Sequence, residues 1–361
     1  MSPNSPPSNE IRTDCETQRY RVQPGAVQQD KAKALAVWRM SGFGGSAAEH
    51  PGRYEWFYRS SLHQLAHINF LEYGDEAIGF LGVGFRKWCV AGEPITAGVL
   101  VDFVVHPSHR TALPALMLQR HGRRRAKQNA QLLYGLPAAK AEAIFRRLGG
   151  EFECQLPRFV RILRSRTYLE RLLPTWLASP LSLLIDSTSI VWTYARQLFS
   201  RSEGAWLERF DDRFDELWRR LDKRARCMGV RDRGFLEWRF MQRSERSYQI
   251  FAVTERSNPQ QLRTYFVCER SAATLVIKDL LHVGSGKELR DALLKLSLCA
   301  RAQGASALSL EIAGDREITN ALRRTQFFKR DSRPLFATVS EHIREKIKDA
   351  RWYITQADED I

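Results

Sequence analysis

Hydrophobic and polar residues alternate with two different periods along the first half of the chain. Between residues 67 and 106 the apolar positions recur every second residue or run on between turns, which is typical of β-strands. On either side they recur every three to four residues, which is typical of amphipathic helices. The pattern predicts a helix over 30–40, a helical turn from Pro51, strands over 67–73, 78–88 and 95–106, a helix over 112–129, a strand over 131–136 and a helix over 138–148.

The same order of elements recurs in the second half. It predicts a helix over 212–227, a helical turn over 235–240, strands over 248–254, 263–269 and 274–283, a helix over 287–303, a strand over 307–312 and a helix over 315–325. A tandem duplication is the simplest explanation, although no residue-level repeat is visible. The predicted fold class is α/β (α+β), with two domains that each contain a mixed, largely antiparallel sheet flanked by helices.

One segment between the two halves differs from both. Residues 172–194 contain no Lys or Arg, carry Pro174, Pro180 and Asp186, and have arginines on both sides. Two interpretations remain open: two short helices packed between the domains, or an apolar hairpin lying in the interface of an anionic membrane. A membrane span is disfavoured, because an Asp and two prolines are costly at the bilayer centre.

Composition narrows the class of protein. The 361 residues are 43% hydrophobic, which excludes a largely disordered chain, and the formal net charge is +15. Residues 101–171 carry 14 Lys and Arg against five Asp and Glu. Nucleic acid is the usual partner of such a region, but it is not expected here because no helix-turn-helix, zinc-finger or RNA-binding motif accompanies the charge.

Six separate cysteines without metal spacing predict reduced thiols and neither a disulfide framework nor a metal site. Residues 1–14 contain no apolar signal-like stretch and are expected to form a disordered leader. The expected location is therefore cytoplasmic, with peripheral attachment to the inner face of the membrane as an option for 172–194.

A strand that leads into a helix carries the most informative chemistry. Residues 99–106 form an apolar strand, and a His-Pro turn connects it to the helix that begins at Ala112. Unpaired amides and the helix dipole make such a helix N-terminus a natural phosphate site. His109 and Arg110 add side-chain donors at the same place.

The stretch Leu100–Leu118 resembles the strand and pyrophosphate loop of the GCN5-related N-acetyltransferase (GNAT) superfamily. The run from Phe145 to Gly150 looks like the final helix of that family, and residues 277–328 look like a more divergent second copy. The arrangement is similar to that of bacterial double-GNAT proteins. The resemblance implies GNAT-like domains over 15–160 and 205–340, an apolar helical insert over 161–204, and a C-terminal helix and acidic tail over 341–361.

The same resemblance implies direct acyl transfer from acetyl-CoA or another acyl-CoA to an amine, with no metal and no covalent enzyme intermediate. Acyl-CoA would lie in a V-shaped gap between the strands at 101–105 and 131–136. Asp102 would act as the general base, and Tyr134 could replace the general acid of the family. The residues implied in acyl-CoA binding are Val104, Val105, His109, Arg110, Thr111, Ala112, Leu113 and Ala115.

The sequence also departs from the family pattern. Leu113 stands where the family has a glycine that lets phosphate approach the backbone, and Pro114 removes one amide donor. Phe145 stands where the family often has a tyrosine that acts as the general acid, and a phenylalanine cannot protonate the leaving thiolate. Asp102 therefore has a second interpretation, as a structural carboxylate bonded to a neighbouring Trp, Arg or backbone amide. In the second copy the candidate base is Asp279.

The expected function is acyl transfer to an amine on a small molecule or saccharide, with an envelope or polysaccharide precursor as a candidate acceptor. Two alternatives remain open. The chain could be a non-catalytic binding or scaffold protein with two degenerate domains, or a FemABX-like transferase that uses aminoacyl-tRNA. The acidic ending at 358–360 has two interpretations, a loose end or a segment docked near the second site.

Overall fold

The chain folds into two compact units. The computed structural model describes residues 19–44, 47–59, 62, 66–150, 152–198, 200–243 and 246–359. The first unit extends to Lys87 and adds residues 95–153 and 336–344; the second unit contains 88–94, 154–335 and the residues from 345 onward. The predicted leader over 1–14 lies outside the described residues.

The first unit is a sheet covered by helices. Its helices are α1 (Lys31–Met40), α2 (His50–Arg59), α3 (Ala112–Ala126) and α4 (Glu142–Arg147). Its strands are β1 (Tyr20–Gly25), β2 (His67–Tyr73), β3 (Glu76–Val90), β4 (Glu93–Val105), β5 (Leu132–Gly135) and the last four residues of β13 (Phe328–Val339). They lie in the order β1–β2–β3–β4–β5–β13, with β5 parallel to β4 and antiparallel to β13.

The apolar alternation predicted for these strands places one face in the core. Leu81, Val83 and Leu100 from the sheet pack with Leu118 from α3 and Phe145 from α4. Burial of each such side chain contributes roughly 1.5–3 kcal/mol. This packing determines where α3 starts relative to the end of β4, and that junction is the site considered below.

The second unit is also built of strands and helices and contains more of them than the first. Its helices are α5 (Arg166–Leu169), α6 (Thr175–Gln197), α7 (Asp212–Arg220), α8 (Arg233–Phe240), α9 (Gly286–Ala302), α10 (Arg316–Arg324) and most of α11 (Glu341–Asp349). Its strands are β6 (Phe152–Ile162), β7 (Ser202–Leu207), β8 (Arg226–Gly229), β9 (Tyr248–Glu255), β10 (Asn258–Ser271), β11 (Thr274–His282), β12 (Ala307–Ala313) and β14 (Arg351–Thr355).

The strands of the second unit lie in the order β6–β12–β11–β10–β9–β7, and β14 pairs with both β12 and β8. In each unit the element order is a strand, two helices, three strands, a helix, a strand and a helix, with β8 inserted between the two helices of the second unit. The chain is therefore a mixed α/β protein, as predicted. The predicted boundaries at 160, 204 and 340 stay a prediction.

Three predicted helices are shorter by at least three residues than their periodicity indicates. The helix over 212–227 ends at Arg220, and residues 226–229 form β8 instead, because Cys227 is buried between pairings with β14 and with the end of β3. The helix over 112–129 ends at Ala126. The helix over 138–148 is α-helical only over Glu142–Arg147, after a short 3₁₀ turn.

The segment over 172–194 was expected to be two short helices or a hairpin, and that expectation is wrong. It forms a single helix, α6, which runs through Pro180 from Thr175 to Gln197. A proline inside a helix costs about 3 kcal/mol or more. Asp186, which accepts from the Ser165 amide, and Gln197, which donates to the Asp291 carbonyl oxygen, hold the helix against the rest of the second unit. Among the described residues, no helix is long and apolar enough to cross a membrane.

Candidate functional site

Strand β4 of the first unit extends beyond its pairing with β5, and the place beside its last residues, 100–105, is called the gap below. Their parallel pairing joins Ala97–Val99 to Leu132–Tyr134, and β4 then continues alone to Val105. On the other side of β4, the His106 amide donates a 2.7 Å hydrogen bond to the Ile78 carbonyl of β3. The predicted V-shaped gap thus has a counterpart in the separation of these two strands.

Main-chain direction decides which amides face this gap. Amides alternate along a strand, so Val104 faces β3 as His106 does, whereas Val105 faces the gap. The Arg110 guanidinium donates to the Val105 carbonyl oxygen at 2.9 Å, which agrees with that direction. Of the two predicted amide donors, Val105 is the one on the open edge of β4.

The loop after β4 brings an exposed helix N-terminus to the mouth of the gap. Thr111 is the N-cap of α3, in an extended conformation and without a side-chain capping hydrogen bond. Thr111, Ala112 and Leu113 are exposed, while Pro114 and Ala115 are buried. The first turn of α3 carries no acidic residue, so the partial positive charge of this terminus faces solvent without a carboxylate on its own turn.

His109 and Arg110 lie beside this loop, but their side chains are used within the unit. The His109 Nδ1 is 3.0 Å from the Tyr20 hydroxyl. Arg110 donates from Nη2 to the Ser41 carbonyl oxygen at 2.5 Å, in addition to its bond with Val105. Both side chains therefore shape the loop, and part of the Arg110 guanidinium is already engaged within the unit.

Asp102 lies in a buried ion pair beneath the loop. Its Oδ1 accepts a 2.5 Å hydrogen bond from Arg53 Nη2, and its Oδ2 accepts a 2.6 Å hydrogen bond from the Tyr58 hydroxyl. Its side chain is 1% exposed. Burial, together with the adjacent Asp102 carboxylate, raises the pKa of Tyr58 well above its ordinary value. Both carboxylate oxygens are occupied, which favours the interpretation of Asp102 as a structural carboxylate.

The backbone at Asp102 is itself unusual. Its φ is +52°, in the left-handed region that most residues avoid and that Asp and Asn tolerate best. A residue in this conformation inside a strand redirects the chain that follows, as a β-bulge does. Asp102 thus helps to determine where the last residues of β4 lead.

Sequence reasoning missed Arg53 and Tyr58 as partners of Asp102. The aromatic turn from Tyr54 to Tyr58 was a recognisable signal, because large aromatic residues cluster there, but only packing brings α2 onto β4. Tyr134, the candidate acid, is fully buried, and its hydroxyl is 3.5 Å from Arg86 Nη1. The hydrogen-bond partners described for Asp102 and Tyr134 are thus side chains of the first unit itself.

In the second unit, β11 and β12 correspond to β4 and β5, but the place beside the end of β11 is occupied by another strand. These strands pair in parallel only from Thr274–Ile277 to Ala307–Leu310. Beyond Leu310, β12 pairs with β14 instead, through Ile312–Thr355 and Ala313–Ile354. The C-terminal strand therefore occupies the place that is open beside β4.

Two side chains of β14 reach across to β11. The Tyr353 hydroxyl donates a short hydrogen bond to the Leu280 carbonyl oxygen, and the Thr355 hydroxyl donates to Asp279 Oδ1 at 2.6 Å. Asp279 also accepts a 2.7 Å hydrogen bond from the Tyr265 hydroxyl. These contacts close the second gap.

Asp279 belongs to a fully buried charged cluster. Arg231 is 3.1 Å from Asp279 and 2.5 Å from Asp358, and none of the three side chains is more than 1% exposed. Burial raises the pKa of Asp279. Asp358 is therefore docked near the second site, as one of the two interpretations of the acidic ending held; Asp360 lies outside the described residues.

The helix N-terminus after β11 is capped by acids. Glu288 accepts a 2.7 Å hydrogen bond from the Ser285 amide and completes a capping box, and Glu317 accepts a short hydrogen bond from the Gly286 amide. The cavity beside this helix is lined by Asp315 and Glu317 together with Arg226 and His282. Carboxylates already satisfy these amides, and their charge opposes a pyrophosphate.

Comparison with solved structures places this arrangement among known folds. A probable N-acyltransferase from Enterococcus faecalis V583 superposes with a TM-score of 0.61 at 12% identity, over 89% of this chain and 73% of that one. A GCN5-related N-acetyltransferase from Anabaena variabilis gives 0.62 at 10% identity, with the same coverage. N-myristoyltransferase from Saccharomyces cerevisiae, with bound myristoyl-CoA, gives 0.52 at 10% identity over 89% and 79%. No protein-family model and no curated protein sequence matches the chain.

These structural similarities define the fold of the chain. The chain has the fold of the GCN5-related N-acetyltransferases and probable N-acyltransferases, as the resemblance around Leu100–Leu118 implied. At 10–13% identity the likeness concerns the fold, so what the site does is argued below from its residues.

Proposed function

We propose that this protein is an acyltransferase that moves an acyl group from acyl-CoA to an amine, and that only its first unit binds acyl-CoA. The observation that carries the proposal is the contrast between two helix N-termini. That of α3 is exposed and has no acidic residue in its first turn, whereas that of α9 is capped by Glu288 and Glu317. A pyrophosphate bears negative charge and needs free amides, so it is compatible with α3 alone.

The residues of the first unit fit the cosubstrate in part. The amides of Ala112, Leu113 and Ala115 belong to the first turn of α3, and Pro114 contributes none. Leu113 is 39% exposed and places a branched side chain where the family has a glycine, so we expect it to hinder the approach of a phosphate to the main chain. We expect a pyrophosphate to be held by fewer amides than in a glycine-rich loop, and hence more weakly.

When bound, acyl-CoA would supply a thioester carbon for attack by the amine of the acceptor; the new C–N bond would replace the thioester C–S bond, CoA would leave as its thiolate, and the proton lost by the amine would reach that thiolate through solvent. The Val105 amide, on the open edge of β4, is the donor that would stabilise the negative charge on the thioester oxygen. Asp102 and Tyr134 are buried and engaged with Arg53, Tyr58 and Arg86. We therefore propose that they position the ends of β4 and β5 rather than exchange protons with the substrate.

The acceptor is proposed by chemical class only. An amine on a small molecule or a sugar is compatible with transfer by this fold, and an envelope or polysaccharide precursor remains the candidate from sequence. One solved structure with the same fold, of fungal origin, is described as a glucosamine N-acetyltransferase region, at 10% identity and a TM-score of 0.53.

A matched pair of variants tests the proposal. Leu113 and Lys287 occupy the second position of α3 and α9 and are both exposed. Calorimetric titration with CoA and acetyl-CoA should detect binding to the wild type and to Lys287→Glu, and binding to Leu113→Glu should be at least about tenfold weaker because a carboxylate then faces the pyrophosphate. Loss of binding in Lys287→Glu alone would move the site to the second unit. Absence of binding at millimolar CoA would favour the non-catalytic alternative.

A further inference from the structure

Helix α6 of the second unit has the opposite orientation to that of an ordinary amphipathic surface helix, because its apolar face is exposed. One stripe of its polar side chains faces the protein, and most of its large apolar side chains are exposed. Ten of the 15 exposed large apolar side chains among the described residues lie between Leu172 and Leu198. Six of them are more than 60% exposed: Leu172, Trp176, Leu183, Leu184, Val191 and Leu198. A contiguous apolar surface of this kind marks an interaction site.

The inward orientation is determined by a stripe of polar residues, Ser182, Asp186, Ser189, Thr193 and Gln197, spaced three or four apart along the helix. Asp186 accepts a 2.9 Å hydrogen bond from the Ser165 amide. Thr193 accepts a 2.8 Å hydrogen bond from Arg161, and Gln197 donates to the Asp291 carbonyl oxygen at 2.9 Å.

The group that binds Thr193 is the buried guanidinium of Arg161. Arg161 is 2% exposed and also donates to Ser297 at 2.9 Å, and burial lowers its pKa to about 10. Turning α6 over would remove a hydroxyl partner from this cation and bury the outer leucines at the expense of the inner hydrogen bonds. The exposure of the apolar face is therefore a consequence of specific contacts.

Charge indicates what covers the apolar face. Arginines at 164, 166 and 171 precede the helix, those at 196 and 201 end it, and all five are exposed. The same stretch, 164–201, holds two acids, Glu170 paired with Arg166 and Asp186 paired with Arg301, so its formal net charge is +3. A second copy of the chain docked on this face would bring basic ends together in either orientation, which is unfavourable. An anionic surface with an apolar interior complements both features.

We propose that α6 binds the surface of an anionic lipid bilayer, lying in the plane of the interface with its outer leucines among the acyl chains. A helix of 23 residues is about 35 Å long. Its length places the two basic ends over separate headgroups, and Trp176, which is 72% exposed, is a residue type enriched at membrane interfaces. The helix stays attached to the second unit through its polar stripe, so it rests on the membrane and does not span it. The inference does not depend on acyl transfer.

Flotation of the full-length protein tests this inference. Vesicles of phosphatidylcholine mixed with phosphatidylglycerol should carry the wild type upward, and vesicles of phosphatidylcholine alone should carry much less. The variant Leu183→Glu/Leu184→Glu should bind at least about tenfold less for each leucine removed. Its melting temperature should equal that of the wild type, because both side chains are exposed.

The matched control is Met40→Glu/Met241→Glu, which adds the same charge at two exposed apolar residues elsewhere. It should float as the wild type does. Failure of the wild type to float with anionic vesicles at low salt would overturn the inference. So would equal losses in the variant and the control. A dimer in sedimentation that only the leucine variant dissociates, without flotation, would assign the face to a second copy and also overturn it.

Discussion

The Tyr353 hydroxyl donates a hydrogen bond to the Leu280 carbonyl oxygen and thereby ties the C-terminal strand to β11. In the first unit the corresponding stretch of β4, from Leu100 to Val105, has no pairing with β5. The two similar strand arrangements thus differ at this place: β14 pairs with β12 beside β11 in the second unit, whereas residues 100–105 of β4 have no pairing with β5 in the first. This difference agrees with the proposal that acyl-CoA binds the first unit, which is carried by the contrast between the N-termini of α3 and α9.

Replacing Leu113 with glycine should strengthen binding of CoA. Removal of a 39% exposed side chain from the first turn of α3 lets a phosphate approach the main chain more closely. We expect the dissociation constant to fall several-fold, although the helix loses up to about 1 kcal/mol of stability. Calorimetry of Leu113→Gly beside Lys287→Gly, at the same position of α9, isolates the effect. Equal changes in both variants would contradict a site at α3.

Asp102→Asn should chiefly reduce stability. Asparagine tolerates the left-handed backbone at this position, so the substitution removes the charge without adding strain. It leaves the buried Arg53 guanidinium without its carboxylate, and breaking such a pair costs about 3–5 kcal/mol. Urea unfolding measures this loss, and Arg53→Met/Asp102→Asn should recover part of it.

Kinetics separates a positioning residue from a base. If Asp102 positions β4, the remaining activity of Asp102→Asn at low temperature should keep the pH profile of the wild type. The opposite result would be a variant that is as stable as the wild type but turns over far more slowly, and whose remaining activity lacks the acidic limb of the pH profile. It would show that Asp102 takes the proton.

Gly229→Ala should loosen the buried cluster around Arg231. A Cβ at this glycine would lie 2.6 Å from Arg231 Nη1 and 2.7 Å from Asp358 Oδ1. Such overpacking typically costs 1–3 kcal/mol. Gly234→Ala is the matched control, because its Cβ would meet nothing closer than 3.8 Å, in α8. Thermal unfolding should show a lower midpoint for the first variant and an unchanged or higher one for the second; equal midpoints would contradict the packing.

His282 should make stability depend on pH. Its Nε2 donates to the Ser285 carbonyl oxygen at 3.1 Å, and its Nδ1 therefore accepts from the Thr264 hydroxyl at 2.8 Å. Burial lowers its pKa, so the folded protein holds the neutral ring. The unfolded chain binds more protons below its ordinary pKa of about 6.5, and the free energy of unfolding falls as pH drops through that value toward the folded pKa.

The slope attributable to one such group is at most about 1.4 kcal/mol per pH unit. Urea unfolding between pH 7.5 and 5 should show a shallower pH dependence for His282→Gln than for the wild type. His342→Gln, at an exposed residue of α11, should keep the slope of the wild type. Identical slopes in all three proteins would exclude His282 as the origin.

Prediction from sequence succeeded where structure is determined locally. The helix from Ala112 and the strands over 67–73, 78–88 and 95–106 appear within a few residues of their predicted bounds, because side-chain periodicity reports which face of an element is buried. It failed at Cys227, where a helical pattern gives way to a strand whose pairing partners, at 351–353 and 88–90, are distant in the chain.

The candidate site shows the same division. Leu113, Pro114 and Phe145 were recognisable departures from a known loop, because such motifs lie within a few residues of one another. The partners of Asp102 were not recognisable, since Arg53 and Tyr58 come from a helix more than 40 residues earlier. The filling of the second gap by β14 could not be predicted from the sequence either, because β14 lies more than 40 residues beyond the β12 residues with which it pairs.

The sequence by itself determined the fold class, the order of the elements, the phosphate-loop candidate at the start of α3 and the basic flanks of the apolar insert. These depend on periodicity, turn residues and charge, which act over a few residues. Only the tertiary structure decided that Asp102 is an ion-paired buried carboxylate, that the second gap is filled by β14, and that α6 presents its leucines outward. Each of these depends on contacts between distant residues, and their energies exceed the local preferences that a sequence displays.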